Sequence, residues 1–114
     1  KLLDFIKDLV ADVLEFFGRY RAEFAVFGVA GVDLDGSLLE FHSAEARVRE
    51  KIRANALKSL LVVDQSKFGR QAPALSGNIS EIDTIIMDRR PGPAFTKLLD
   101  PIENRLVIAE GEVK

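Results

Sequence analysis

Three stretches of this chain run through apolar residues and stop at an aspartate: Val29-Ala30-Gly31-Val32-Asp33, Leu60-Leu61-Val62-Val63-Asp64 and Thr84-Ile85-Ile86-Met87-Asp88. A strand with one wet face alternates apolar and polar side chains, whereas a near-continuous apolar run belongs to a strand covered on both faces, the habit of parallel sheets. Helical patterns lie between the runs, so the reading is α/β, a largely parallel sheet with helices on both faces. If the strands are parallel, Asp33, Asp64 and Asp88 share the carboxyl edge of the sheet, where open α/β folds bind ligands.

The intervening elements follow from periodicity. Leu2, Phe5, Ile6, Leu9, Val13, Phe16, Phe17 and Tyr20 recur at helical spacing opposite Asp4, Asp8, Asp12 and Glu15, which predicts a helix over 2–20. A strand follows over 24–29, and Gly31, Asp33, Asp35 and Gly36 give turn chemistry. Val48, Ile52 and Ala56 fall four apart in a second helix over 43–57, where Glu45 precedes Arg49 at ion-pair spacing. Strands over 59–64 and 83–87 flank a loop at 65–70 and a short edge strand at 73–75. A short helix around Phe95, Leu98 and Leu99 precedes a last strand over 105–109.

Composition narrows the function. The 114 residues suit one domain. With no cysteine there is no disulfide, thiolate metal site or cysteine nucleophile, and with His42 as the single histidine no multi-histidine metal site. This agrees with a reducing cytoplasm, the expected location. Sixteen basic and eighteen acidic residues leave a net charge of -2, with no electrostatic footprint for nucleic acid. The longest apolar stretch, 24–32, is about half the ~18 residues a membrane span needs, so no membrane contact is expected. The chain opens on Lys1-Leu2-Leu3, already inside a helical pattern, and reads as a piece of a longer protein.

Asp33, Asp64, Asp88 and Lys67 have the chemistry of a metal-and-phosphate site, or of one that binds sugar hydroxyls and a phosphate. Each aspartate equally suits the role of cap for the turn that follows. Lys67, in Asp64-Gln65-Ser66-Lys67-Phe68-Gly69-Arg70, stands directly after a buried strand, where a ligand would sit. Gly28, Gly31 and Gly36 lack the dinucleotide fingerprint, so no nicotinamide cofactor is expected. The basic residues Arg47, Arg49, Lys51, Arg53 and Lys58 are diluted by Glu45 and Glu50 and read as a solvated helix face. His42 is placed as a helix cap, and Asn78-Ile79-Ser80 as a chance match to a glycosylation sequon.

Phe27-Gly28-Val29-Ala30-Gly31-Val32-Asp33, Gly36-Ser37-Leu38-Leu39-Glu40-Phe41, the Glu45 to Arg49 stretch, Val63-Asp64-Gln65-Ser66-Lys67-Phe68-Gly69-Arg70 and Ile82-Asp83-Thr84-Ile85-Ile86-Met87-Asp88 resemble the C-terminal sensor domain of DeoR-family bacterial transcriptional repressors. The resemblance is strongest over 24–88. It implies a fold related to the ribose 5-phosphate and glucosamine phosphate isomerases, a phosphorylated sugar or polyol such as glycerol 3-phosphate as effector, and no cofactor. It also implies operator binding through a separate N-terminal winged helix-turn-helix. Carried over by position, the effector-binding residues are Gly31 and Asp33 of the acidic turn, Glu45 and Lys67; none is catalytic and none binds metal. The family's Asp-Ser-Gly-Thr-Thr phosphate loop and the DNA-binding domain lie outside this chain, which leaves 1–114 as a partial sensor domain. The isomerase kinship leaves a sugar-phosphate isomerase as the alternative, and a magnesium-dependent phosphoryl-transfer or receiver-type domain as a third.

Six of the nine aromatic residues fall within the first 27 positions. The stripe Leu2, Phe5, Leu9, Val13, Phe16 and Tyr20 is wider than one small sheet covers, so self-association through this helix, as a homo-oligomer, is expected.

Overall fold

The computed structural model describes residues 2–19 and 21–109. Helix α1 (Leu2–Gly18) leads into strand β1 (Ala22–Phe27), followed by β2 (Gly31–Val32), β3 (Ser37–Glu40) and helix α2 (Ser43–Ala54). Strands β4 (Ala56–Val63), β5 (Ala74–Asn78), β6 (Thr84–Met87) and β7 (Leu106–Ile108) then alternate with short 3-10 turns and the one-turn helix α3 (Thr96–Leu99).

Four strands form a sheet in the order β1-β4-β6-β7, every neighbouring pair parallel, with Val26 beside Leu60, Val62 beside Ile86 and Ile86 beside Val107. This is the α/β architecture that the apolar runs predict. Its strand order advances in one direction, and a right-handed crossover that always steps the same way returns on the same side. The burial agrees. Inward positions Leu61, Val63, Ile85 and Met87 join Ile79, Ile82, Phe95, Leu99 and Ile102 of the connecting segments in one core cluster, each such side chain stabilising by ~1.5–3 kcal/mol.

The two faces are covered unequally. Phe24, Val26, Val62 and Val107 are 55%, 63%, 48% and 48% exposed, so among the described residues the outward face is only partly covered. Continuous apolar runs cannot reveal this, because they record what the sheet can bury rather than what lies against it.

A second sheet, absent from the sequence reading, is antiparallel with order β2-β3-β5. It takes Gly31 and Val32, the end of the first apolar run, where the sequence reading has the chain entering a turn. At Gly28 the chain leaves the parallel sheet, and Gly31 and Val32 pair with Leu39 and Leu38 instead. The turn between them needs Gly36, whose φ is +88°, and closes with Gly36 N–H donating to the Asp33 carbonyl at 2.9 Å. Helix α2 ends at Ala54 rather than at 57, because Asn55 caps it with its N–H donating to the Lys51 and Ile52 carbonyls and its own carbonyl accepting from Ala22 N–H. Residues 56–58 thereby become strand.

Candidate functional site

The carboxyl edge of the parallel sheet carries two of the three expected aspartates. Asp64 follows β4 and accepts from Ser66 N–H at 2.9 Å, from the Ser66 hydroxyl, and from Lys67 Nζ at 2.9 Å. These donors, the Ser66 hydroxyl foremost and then Lys67, lower its pKa from 3.8 to about 2. Asp88 follows β6 and reaches across with Oδ1 to Gln65 N–H at 2.8 Å and to Arg89 N–H at 2.9 Å. Both aspartates therefore hold the turn after β4 in shape, the capping role open to short polar side chains.

Asp33 is a correction to the common-edge expectation, since it issues from β2 in the antiparallel sheet. Its Oδ1 accepts from Leu34 N–H at 2.8 Å and from Gln71 Nε2 at 3.1 Å. It still meets the segment after β4, because Val32 bridges Phe68 in parallel and the Val32 carbonyl accepts from Gly69 N–H at 2.8 Å. Gly31 is buried in the same joint. A Cβ there would stand 2.0 Å from the Arg70 carbonyl oxygen, so the close approach of two backbones accounts for this glycine. Residues 31–33 and 65–71 thus form one interlocked surface that carries Gly31, Asp33 and Lys67, the last with its side chain 28% exposed.

Glu45 lies apart from that surface, in the first turn of α2. It borders a cavity of about 510 Å³ between β1 and α2, whose wall includes Phe27, Gly28, Ala44, Val48 and Arg49. The expected Glu45–Arg49 ion pair is replaced by another. Arg49 Nη1 pairs with Glu40 Oε2 at the end of β3, with side chains 24% and 6% exposed, and the guanidinium carbon lies 5.9 Å from the Phe27 ring centroid. Sequence spacing finds helical neighbours but not a carboxylate delivered by a separate strand. Arg53 likewise pairs with Glu50 at 3.0 Å, so the basic face of α2 is partly neutralised. His42 occupies the cap position of α2 without a side-chain capping hydrogen bond, whereas Asn78 of the sequon caps the 3-10 turn at 79–81 together with Glu81.

No group of three His, Cys, Asp or Glu side chains that could hold a metal ion occurs among the described residues. No described helix is long and apolar enough to cross a membrane.

Residues 9–89 match the model of the DeoR C-terminal sensor domain. The chain is 41% identical over 86 residues to the glycerol-3-phosphate regulon repressor of Escherichia coli, covering 75% of this chain and 34% of that protein. Identity to the repressor of the same name from Haemophilus influenzae is 31% over 101 residues, covering 89% and 39%. To the HTH-type transcriptional repressor GlcR of Bacillus subtilis it is 30% over 100 residues, covering 88% and 38%. The chain therefore spans about a third of the length of these relatives. They are regulators of transcription by name, and the isomerase alternative finds no support among them. The chain belongs to the DeoR C-terminal sensor domain family.

Proposed function

We propose that this chain is the effector-sensing part of a cytoplasmic repressor, that its ligand is a phosphorylated sugar or polyol of the glycerol 3-phosphate class, and that operator DNA is bound by a separate N-terminal domain. The observation that carries the reading is the interlocked surface of 31–33 and 65–71, which presents Lys67 and Asp33 beside the carboxyl edge of the sheet. A lysine there supplies a point charge for a phosphate, and carboxylates accept from hydroxyls. Lys67 is held by Asp64 at 2.9 Å, so a bound phosphate takes over, or shares, a cation already fixed in place. A ligand of this kind shifts the protein between DNA-bound and released states only through unequal affinity for the two. A joint between two sheets is suited to produce that inequality.

Self-association belongs to the same reading. Leu9 and Phe16 of the expected stripe are 51% and 54% exposed and Val13 is half-buried. The side chains of Leu2 and Phe5, and all of Tyr20, lie outside the described residues. A paired repressor also matches a two-fold operator.

The test is a DNA-release titration with glycerol 3-phosphate on the full-length product of the gene, native and Lys67→Ala. Loss of a charge-assisted contact costs ~1.5–3 kcal/mol, roughly a ten- to hundred-and-fifty-fold rise in midpoint. Operator affinity without effector should stay unchanged. Equal midpoints for the two proteins would remove Lys67 from the site.

A further inference from the structure

At the rim of the interlocked surface, Gln71 reaches from one segment to the other. Its Nε2 donates to Asp33 Oδ1 at 3.1 Å, across 38 positions of sequence, and Leu34 N–H donates to the same oxygen at 2.8 Å. Asp33 Oδ2 and Gln71 Oε1 accept from no group among the described residues. A carboxylate oxygen and a carboxamide oxygen each have lone pairs for a hydroxyl donor. The two side chains that carry them are bonded to each other, with Asp33 half-buried and Gln71 exposed.

The backbone beneath fixes where Gln71 starts. The Arg70 carbonyl lies against Gly31 too closely for any Cβ, and Gly69 N–H donates to the Val32 carbonyl at 2.8 Å. Phe68 meets the buried Phe95 ring edge-on, with centroids 5.2 Å apart, which anchors the segment in the core. Arg70 N–H donates to the Lys67 carbonyl at 3.2 Å, so Lys67 and Gln71 flank one turn. A glutamine loses rotamer freedom in bonding a carboxylate at the surface, where water competes for both groups, so the bond adds little to the fold. Its effect is orientation. With Oδ1 occupied twice, Oδ2 is the oxygen left to a ligand.

We infer that Asp33 and Gln71 together read a pair of neighbouring hydroxyls on the effector, Asp33 through Oδ2 and Gln71 through Oε1, while Lys67 holds its phosphate. This rests on the sensor reading and gives it a specificity-determining residue, Gln71, that neither spacing nor the family resemblance singled out. The ligand class narrows from any phosphate monoester to one that bears a vicinal diol. A carboxylate or second phosphate in the place of the diol would be repelled by the charge of Asp33. An analogue without hydroxyls would leave both acceptors without a donor, and a site built for hydroxyls discriminates on that ground.

The experiment measures binding of two probes to the full-length protein: glycerol 3-phosphate, and propyl phosphate, the same monoester without the diol. Native protein should prefer glycerol 3-phosphate by roughly tenfold or more. Gln71→Leu should shrink that preference several-fold and leave propyl phosphate affinity unchanged, whereas Lys67→Ala should weaken both probes alike. A merely structural bond gives a different pattern, since its loss lowers both affinities in parallel and leaves their ratio at the native value. That outcome overturns the assignment of Gln71 while the sensor reading stands. Equal affinity of native protein for the two probes overturns the diol and leaves the phosphate site. If native protein binds neither probe, the sensor reading falls and the diol site with it. Should Gln71→Leu fail to fold, Gln71→Ser, polar but too short to reach Asp33, is judged by the same ratio.

Discussion

Gly31 and Gly28 stand three residues apart, and the structure predicts opposite consequences of adding one methyl group to each. At Gly31 the new Cβ would lie 2.0 Å from the Arg70 carbonyl oxygen and 2.9 Å from its carbon, both backbone atoms that cannot swing aside. Relief requires β2 and the 68–71 segment to separate by more than an ångström. The Gly69 N–H to Val32 carbonyl bond of 2.8 Å and the parallel bridge between Val32 and Phe68 cannot survive that separation. Overpacking costs about 1–3 kcal/mol and a lost hydrogen bond about 0.5–1.5 kcal/mol, so Gly31→Ala should destabilise by roughly 2–4 kcal/mol. A domain has only ~5–15 kcal/mol in total. Gly28→Ala meets nothing closer than 3.5 Å and should stabilise by ~0.4–1 kcal/mol by restricting the unfolded chain. Urea unfolding of the two variants beside the parent, analysed with a common slope, reads the difference directly. Midpoints that coincide within about 0.5 kcal/mol would refute the argument that backbone contact fixes Gly31, and would return that glycine to the list of ligand-binding positions.

Further perturbations test separate parts of the structure. Asp64, held at about 2 against an ordinary 3.8, contributes stability that is present above the unfolded value and lost as pH falls through the folded one; an NMR titration should find its midpoint near 2, and Lys67→Ala should raise it. A midpoint at the ordinary value would show that Ser66 and Lys67 do not hold it in solution. The Ser76 hydroxyl is buried without a partner among the described residues, so Ser76→Ala should be neutral or stabilise by up to ~1 kcal/mol in urea unfolding, and a loss would reveal a missed acceptor. Leu9→Glu places a charge on an exposed apolar position of α1 and should shift sedimentation at micromolar concentration toward monomer without lowering the unfolding midpoint; an unchanged distribution would exclude α1 as the contact.

The parallel sheet was legible because Leu60–Val63 and Thr84–Met87 are apolar enough to define strands by themselves, and each ends in an aspartate that does what a short carboxylate after a strand does. The Val29–Val32 run misled for a physical reason. Its residues are buried like the others, but burial does not say in which sheet, and strands of two and four residues leave no periodic trace. The surface proposed as the site was partly legible for the same reason. Gly31, Asp33 and Lys67 sit on turns with recognisable chemistry, and the structure joins those turns through one bridge. The Glu40–Arg49 pair was not legible, because its members are nine positions apart across a strand-to-helix corner. Spacing within α2 pointed instead to Glu45.

The one-way advance of the strands from β1 to β7 also bears on how the isolated polypeptide behaves in solution. Strand β1 lies at the margin of its sheet among the described residues, so its outer row of backbone N–H and C=O groups is a template for another chain. Phe24 and Val26 stand exposed on that same strand. Flat apolar margins of this kind drive edge-to-edge aggregation unless charges interrupt them. Here the interruption is slight: Arg21 and Glu23 at the start of β1, and Lys58 beside Phe24 on β4. Replacing Glu23 by an apolar residue should therefore increase aggregation of the separately expressed domain, read by light scattering, without lowering its urea midpoint; scattering equal to the parent's would show that this margin is not the template.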